Sequence, residues 1–169
     1  MKQELDELLC TTYPKLFADR NKPMNETAMC WGFCCGDGWF NIINLLCDNI
    51  QHHIDWNNKN FEKGYTQYKQ VPQVTVKQVK EKFGTLSFYY EGGDEHISGM
   101  VRMAESISGV TCEVCGGLGE RGGNGWITTL CKQHRDEREA KRAKELEEYQ
   151  VEQQERERSK IMKAEGFEE

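Results

Sequence analysis

Apolar residues recur at helical spacing near the start of the chain and again before residue 54. Residues 3–12 repeat leucine at this spacing, and Pro14 would end the helix that they predict. Residues 38–54 predict a second, longer helix, with Asp37 as its N-cap. Because its apolar stripe is continuous, we expect this helix to lie at the centre of the core. The stripe consists of Trp39, Ile42, Ile43, Leu46, Ile50 and Ile54.

A change of period follows further along the chain. Residues 73–91 alternate apolar and polar positions in two runs, which predicts a β-hairpin with Phe83 and Gly84 at its bend. Helical spacing then returns over residues 95–107, and Asp94 precedes it as a predicted N-cap. The alternating apolar positions of the hairpin are Val74, Val76, Leu86, Phe88 and Tyr90.

Two stretches lack a clear period. Residues 19–37 are rich in Asn, Gly and Cys, and residues 55–70 are rich in Asn and Lys, so both are predicted to be loops. Taken together, the patterns predict the α+β class. We expect a small antiparallel sheet, two-stranded or slightly larger, packed on two or three helices.

Composition narrows the class of protein. The chain has 169 residues, of which 30% are charged, and its net charge of −6 argues against a general affinity for nucleic acid or anionic membranes. The first residues are acidic where a signal peptide would be apolar, and no apolar run approaches the roughly 20 residues that span a bilayer. We therefore expect a cytoplasmic protein without a membrane partner. In a reducing compartment its eight cysteines favour metal binding or catalysis over disulfides.

Four residues have the spacing of a zinc site. Cys112 and Cys115 are separated by two residues, as are Cys131 and His134, with fifteen residues between the pairs. A two-residue gap lets both members of a pair reach one ion, and thiolates with imidazole suit Zn²⁺ better than Ca²⁺ or Mg²⁺. Four protein ligands complete a tetrahedron, which predicts a structural Zn²⁺. The alternative is three buried or reactive thiols without a metal.

These features predict three parts. Residues 1–109 form the α+β body, residues 110–134 a zinc knuckle or ribbon packed on it, and residues 135–169 a charged tail. The tail contains twelve acidic and nine basic residues and no heptad seam. It is predicted to be a long, solvated helix.

A second group of cysteines allows three interpretations. Cys30, Cys35 and Cys47 lie around the predicted central helix, and they could belong to a second metal site. Free cysteine is, however, among the most buried residue types, which favours structural thiols. The third interpretation is a reactive thiol at Cys35, because a helix N-terminus lowers the pKa of a nearby thiol.

Three strings in this chain resemble a widespread group of small proteins encoded by tailed bacteriophages and prophages. The resemblance covers most of residues 4–134 and implies a phage accessory protein acting in the cytoplasm of a bacterial host. It implies no reaction and no catalytic residue. The charged tail is a departure from the group. The strings are AMCWGFCCGDGWF at residues 28–40, VKEKFGTLSFY at residues 79–89, and CEVCG at residues 112–116 with GWITTLC at residues 125–131.

The favoured function is a non-enzymatic binding module that engages a host or phage protein and modulates a host process such as defence. We expect the exposed parts of Trp31, Phe33 and Trp39, together with the hairpin, to form its contact surface. The sequence contains no P-loop, dinucleotide-binding glycine pattern, HExxH motif or nucleophile elbow, so an enzyme is not favoured. The chain also lacks the His-x-Glu that a zinc deaminase needs before its cysteine pair.

A nucleic-acid-associated regulator is the alternative function. Lys77, Lys80 and Lys82 lie beside aromatic residues on the predicted hairpin, and such a surface can stack bases and hold phosphates. The simpler interpretation is that the aromatic side chains are core and the lysines are solvated. Because acidic residues dominate the chain, nucleic acid is a less favoured partner than protein.

Overall fold

The computed structural model describes residues 1–123 and 125–164, and over these residues the protein is α+β, as predicted. The chain forms two compact units, Met1–Cys131 and Lys132–Glu169. The helices are α1 (Gln3–Thr12), α2 (Phe40–Glu62), α3 (Glu95–Ser108) and α4 (Lys132–Ala164), with short 3₁₀ turns at Met29–Trp31 and Asp37–Trp39. The strands are β1 (Phe33–Cys34), β2 (Thr75–Lys82), β3 (Thr85–Glu91), β4 (Glu120–Gly122) and β5 (Thr128–Leu130).

Helix α2 is the centre of the core of the first unit, as the apolar stripe predicted. Ile43, Ile50 and Ile54 are completely buried, and so is Trp39 just before the helix. Burying one such side chain stabilises a fold by roughly 1.5–3 kcal/mol, so this stripe supplies much of the driving force for folding. Around it pack Leu9 of α1, Val76 and Val79 of β2, Leu86 and Phe88 of β3, and Ile97 and Val101 of α3.

The start of α2 differs from the prediction. The helix begins at Phe40 after the 3₁₀ turn, and Asp37 is not its N-cap. The Asp37 carboxylate instead accepts a hydrogen bond of 2.7 Å from the backbone N–H of Lys2 and lies 3.3 Å from the Lys2 ammonium. This contact with a distant segment replaces the local cap.

The end of α2 also differs from the prediction, because the helix continues to Glu62 where a loop was expected. Asparagine-rich stretches favour loops because the side-chain amide competes for backbone hydrogen bonds. Here Asn58 directs its amide outward, donating to the Val71 carbonyl and accepting from the Val71 N–H at 3.0 and 2.7 Å. The tertiary contact therefore uses the asparagine without breaking the helix.

The predicted β-hairpin is confirmed as β2 and β3. Phe83 and Gly84 at its bend both have positive φ angles, 52° and 80°, as a two-residue type I′ turn requires. The sheet is not purely antiparallel, however, because β1 pairs with β2 in parallel, with Phe33 opposite Val79. The expected loop over residues 19–37 therefore contains a short edge strand. Two residues are too few to show the alternation that predicts a strand.

Helix α3 confirms both its predicted position and its predicted cap. The Asp94 carboxylate accepts a hydrogen bond of 3.0 Å from the N–H of Ile97, which satisfies one free amide of the first turn. The other carboxylate oxygen lies 2.8 Å from Nε2 of His53 on α2. Asp94 thus fixes the start of α3 and also ties it to α2.

A buried ion pair fixes the loop before β1. Asp6 of α1 is almost fully buried and lies 2.9 Å from Arg20. The other oxygen of Asp6 accepts from the N–H of Phe33 at 3.0 Å, and the Arg20 guanidinium donates to the carbonyls of Met29 and Cys30, each at 3.0 Å. This network orders the backbone on both sides of the intervening tryptophan.

The second unit contains helix α4, which begins at Lys132, three residues before the predicted tail. Its side chains are exposed over nearly all of the described length, and ion pairs at i,i+4 spacing run along it, among them Lys141–Glu145 and Arg156–Glu152. A search of the described helices finds none that is both long enough and apolar enough to cross a membrane. The predicted three-part division of the chain stays a prediction.

Trp39 and Trp31 provide a matched test of this core. We expect Trp39→Phe to lower the free energy of unfolding by about 2–4 kcal/mol, since it leaves a cavity and removes the indole N–H that donates to the Thr111 carbonyl at 2.9 Å. Trp31→Phe should change it by less than about 0.5 kcal/mol, because that indole is exposed. Urea unfolding of both variants measures the difference, and equal losses would contradict the packing described above.

Candidate metal centre

The structure brings the four predicted zinc ligands together. One ligand atom from each of Cys112, Cys115, Cys131 and His134 lies within 4.8 Å of all the others. The sulfurs of Cys115 and Cys131 are 4.0 Å apart, close to the roughly 3.8 Å that two thiolates adopt on one tetrahedral zinc. A disulfide would need about 2.05 Å between sulfurs, so Cys115 and Cys131 do not form one. The donor set therefore fits a metal ion.

A tight turn positions the first two ligands. The N–H of Gly116 donates to the Cys112 carbonyl at 2.8 Å, and the N–H of Cys112 donates to the Gly117 carbonyl at 2.7 Å. Gly116 has φ of +75°, a conformation that L-residues with a side chain rarely adopt. The glycine after the second cysteine therefore lets the chain reverse so that both sulfurs point the same way.

The electrostatics of the turn favour a cation. Burial raises the pKa of the Cys112 thiol, but hydrogen bonds from the amides of Cys131, Cys115 and Val114 outweigh this effect. They lower the pKa to about 6. The Gly117 amide lowers the pKa of Cys115, but the nearby sulfurs of Cys112 and Cys131, together with partial desolvation, outweigh it and leave that pKa raised. The amides around Cys112 thus favour its thiolate, which is the form that coordinates a metal.

The segment before α2 packs directly on this turn. The N–H of Gly38 donates to the Glu113 carbonyl at 2.8 Å, and the N–H of Gly36 donates to the Glu113 carboxylate at 2.9 Å. The indole N–H of Trp39 donates to the carbonyl of Thr111, the residue just before Cys112. The strings at residues 28–40 and 112–116 therefore form one interface.

Gly38 makes that interface possible because its backbone lies against the turn. A Cβ atom at Gly38 would lie 2.3 Å from the Cys112 carbonyl oxygen and 2.4 Å from the Gly116 nitrogen. Both neighbours are backbone atoms, so neither can swing aside as a side chain would. No residue larger than glycine fits without moving the two segments apart.

The bend of the β2–β3 hairpin contacts the same region from another element. Arg121 of β4 donates to the Phe83 carbonyl at 2.6 Å, and the Thr129 hydroxyl of β5 donates to the Gly84 carbonyl. The N–H of Glu113 donates to the Thr129 carbonyl at 3.0 Å. The string at residues 79–89 therefore also contacts the candidate metal centre.

The second cysteine group, Cys30, Cys35 and Cys47, is not gathered into a cluster of metal ligands among the described residues. In the part of the chain that the structure describes, the only suitable cluster of three or more His, Cys, Asp or Glu side chains is the one at residues 112–134. Cys30 donates to the Thr27 carbonyl, and Cys47 is completely buried, which raises its pKa. Burial also raises the pKa of Cys35 to about 12, and α2 begins only at Phe40, so these observations favour the structural-thiol interpretation of Cys35 over the reactive one.

The predicted binding surface is only partly correct. Trp31 is 65% exposed, whereas Phe33 and Trp39 are 4% and 0% exposed and belong to the core. Phe33 faces inward, where the centre of its ring lies 5.1 Å from that of Phe17. Trp39 faces inward with its indole N–H bonded to the Thr111 carbonyl. The sequence of this glycine-rich segment has no period that would indicate which of its aromatic side chains face the core and which face solvent.

The three lysines on the hairpin differ in their surroundings. Lys77 lies 2.7 Å from Asp19 and 2.9 Å from Glu91, so two carboxylates neutralise it. Lys80 has its ammonium 5.4 Å from the ring centre of Tyr89, which is a cation–π contact. Lys82 makes a similar contact of 5.7 Å with its neighbour along the chain, Phe83.

The sequence interpretation missed residues that act through the backbone. Glu113 lies between two ligands, and nothing in its type indicates that it would bond to a glycine more than seventy positions away. Asp6 resembles any exposed acid of an amphipathic helix, yet it is buried and holds the loop before β1. A signal for the interface existed only in the two glycines around Asp37, which permit close backbone approach.

The fold and the site together define an α+β protein with a Cys₃His cluster able to hold a metal ion. Each of the four ligands is a protein side chain, so a tetrahedral ion would have no position left for a substrate. Comparisons of the chain with models of known families, with curated proteins and with solved structures give no match.

Gly38 and Gly99 test the interface beside the cluster. Gly38→Ala should lower the free energy of unfolding by about 3 kcal/mol, because the added methyl group meets backbone on two sides. Gly99→Ala lies in the middle of α3 with open space around its Cβ position, and it should raise stability by about 0.5–1 kcal/mol. Thermal unfolding with stoichiometric metal measures both, and a neutral Gly38→Ala would show that the close approach is absent in solution.

Proposed function

We propose that the cluster binds one structural Zn²⁺ ion. The chemistry of the donors supports zinc, since three thiolates and one imidazole form a set that is typical of structural zinc sites. The surroundings support a structural role, because the turn that carries Cys112 and Cys115 contributes little apolar surface of its own. Metal binding would supply the folding free energy that this glycine-rich segment lacks.

We infer that the protein is a non-enzymatic binding module for another protein. The observation that carries this proposal is Trp31, whose large side chain is exposed although its backbone is held in place. Arg20 donates to the carbonyls of Met29 and Cys30 just before it, and Gly32 just after it donates to the Met29 carbonyl. A tryptophan on a fixed backbone loses little entropy on binding, and such residues commonly dominate interface energies.

The partner and setting follow from the resemblance of the sequence to phage and prophage proteins. On that basis we propose that the protein acts in the cytoplasm of a bacterial host and engages a host or phage protein. Modulation of a host process such as defence is the proposed consequence. The exposed tryptophan supports a protein partner but does not identify one.

A nucleic-acid-associated regulator is the second candidate function. It is favoured by the two lysine–aromatic contacts at the end of the hairpin, where Tyr89 and Phe83 are both exposed. Exposed aromatic rings beside lysines can stack bases while the ammonium groups hold phosphates. The neutralisation of Lys77 by two carboxylates removes one of the three predicted basic contacts and weakens this candidate.

The metal proposal predicts a difference between two cysteines. Cys115→Ser should abolish stoichiometric zinc and prevent stable folding, since it removes one of four ligands. Cys34→Ser should leave both zinc content and melting temperature unchanged, because Cys34 is an exposed free cysteine outside the cluster. Elemental analysis and circular dichroism provide the two measurements, and a strong chelator should unfold the wild type. A soluble Cys115→Ser protein of unchanged heat resistance would sink the proposal.

The binding proposal predicts what the protein retains from a bacterial lysate. We expect one protein to be retained by the wild-type chain at high salt and lost with Trp31→Ala, whereas Phe61→Ala, another exposed aromatic, should keep it. Mass spectrometry of the retained material identifies it. Retained nucleic acid that is released between about 50 and 200 mM salt, and that Lys80→Glu abolishes, would favour the regulator instead.

A further inference from the structure

Helices α2 and α3 leave an open apolar groove between them on the surface of the first unit. The groove has a volume of about 370 Å³. Leu45 on one wall is 61% exposed, and Met103 and Ile107 on the other are 67% and 45% exposed. Its lining consists of Asn41, Ile42, Leu45, Leu46, Asn49, Met100, Met103, Ala104 and Ile107.

A second hollow extends this groove along the same two helices. It has a volume of about 290 Å³ and shares Asn49 and Met100 with the first. From Asn41 to Trp56 the lining of α2 spans sixteen residues, and the fifteen steps between them correspond to about 22 Å of helix. The two hollows together, which we call the α2–α3 groove, are therefore long. The residues that only the second hollow adds are His52, His53, Trp56 and His96.

The lining of the α2–α3 groove contains no Asp, Glu, Lys or Arg, although these residues make up 30% of the chain. Exposed apolar side chains that are gathered in one groove, unlike those scattered singly, point to an interaction site. Two of its lining residues are methionines, whose flexible side chains adapt to the shape of an apolar partner. The groove thus suits an apolar face, not a charged one.

The end of the groove near Trp56 has a different chemistry. His53 uses both ring nitrogens, since Nε2 lies 2.8 Å from the Asp94 carboxylate and Nδ1 lies 3.2 Å from the Asn57 amide. His96 stacks on the His53 ring at 4.6 Å, and His52 stacks near Trp56, and both of these imidazoles are exposed. Imidazole N–H groups on an uncharged lining complement an acidic side chain of a ligand.

We propose that the α2–α3 groove binds an amphipathic α-helix of a protein partner. The apolar face of that helix lies between Leu45 and Met103, and an acidic residue near one of its ends lies against His52 and His96. This proposal rests on the inferred function as a protein-binding module and gives it a second contact surface besides Trp31. Helix-in-groove recognition reads apolar residues at i, i+3 or i+4, and i+7, which the straight apolar walls of this groove match.

The shape of the groove favours a helix over a second copy of the chain. Two identical concave surfaces facing each other would leave the space between them unfilled, so a symmetric pair of grooves could not pack well. A helix is about 10 Å wide with its side chains and presents a convex apolar face of the required length. The partner is therefore defined by its chemistry: a helix of three to four turns with one apolar face and a terminal acid.

The test uses peptides, so that it does not depend on finding the natural partner. A display library of random peptides of about 15 residues, the length that spans 22 Å as a helix, is selected against the full zinc-loaded chain. We expect enriched sequences to carry apolar residues at i, i+4 and i+7 and an acidic residue near one end. Met103→Glu should weaken their binding at least tenfold, which is about 1.4 kcal/mol. Leu8→Glu, an exposed apolar position on α1, should not change it.

The histidine end has its own readout. Replacing the acidic residue of a selected peptide by its amide should weaken binding to the wild type several-fold, but not to a His52→Ala, His96→Ala double variant. Selected peptides that bind Met103→Glu as well as the wild type, or that lack the helical spacing, would overturn the proposal. So would a wild-type dimer that Met103→Glu dissociates. A partner captured through Trp31 yet indifferent to Met103→Glu would overturn the groove alone and leave the binding module intact.

Discussion

Close backbone contact between the turn at Cys112–Cys115 and the segment that leads into α2 is the constraint on which the first unit depends. Gly38 donates to the Glu113 carbonyl, and the absence of a Cβ at Gly38 lets the two chains meet. One residue later, Trp39 enters the core while its indole bonds to Thr111. The turn therefore helps to place the start of the central helix, and a metal in the turn would stabilise that helix from outside the apolar core.

This arrangement links the candidate metal centre to the exposed tryptophan without direct contact. Residues 28–39 run from the loop that bears Trp31, through strand β1, to the glycines against the turn. The Asp6–Arg20 pair holds the first half of this segment, and the turn holds the second half. Loosening either attachment would free the segment at one end. A structural metal can thus govern the geometry of a binding surface by ordering the backbone that carries it.

Sequence reasoning succeeded where the determinants are local. The ligand pairs around Cys112 and Cys131, the bend at Phe83 and the cap at Asp94 each depend on residues within a few positions of one another. Predictions were wrong where the contacts of a residue depend on a partner far along the chain. Asp37 bonds to Lys2 across thirty-five positions instead of capping α2.

The burial of individual side chains shows the same division. Phe33 and Cys35 are both buried, and they lie in or next to strand β1. In that strand Phe33 pairs with Val79, far along the chain. A two-residue strand contains no period from which that pairing could be inferred. The helix-dipole argument for Cys35 assumed a helix start beside it, whereas α2 begins at Phe40 and burial raises the pKa of the thiol. Local rules therefore identified the candidate metal centre but could not predict which neighbouring side chains would be free to bind.

Helix α2 serves the core and the α2–α3 groove through opposite sides. Ile43, Ile50 and Ile54 face inward, while Leu45 and Trp56 are exposed. A helix needs only one apolar face to be held in a core, so exposed apolar residues on the other face add nothing to folding and are costly to leave in water. The asparagines after residue 54 predicted a loop, but α2 continues through them. This extension places Trp56 at one end of the groove, beyond its apolar part. The longer helix converts a small apolar depression into a surface long enough for another helix, and this is the physical reason to regard the groove as a site.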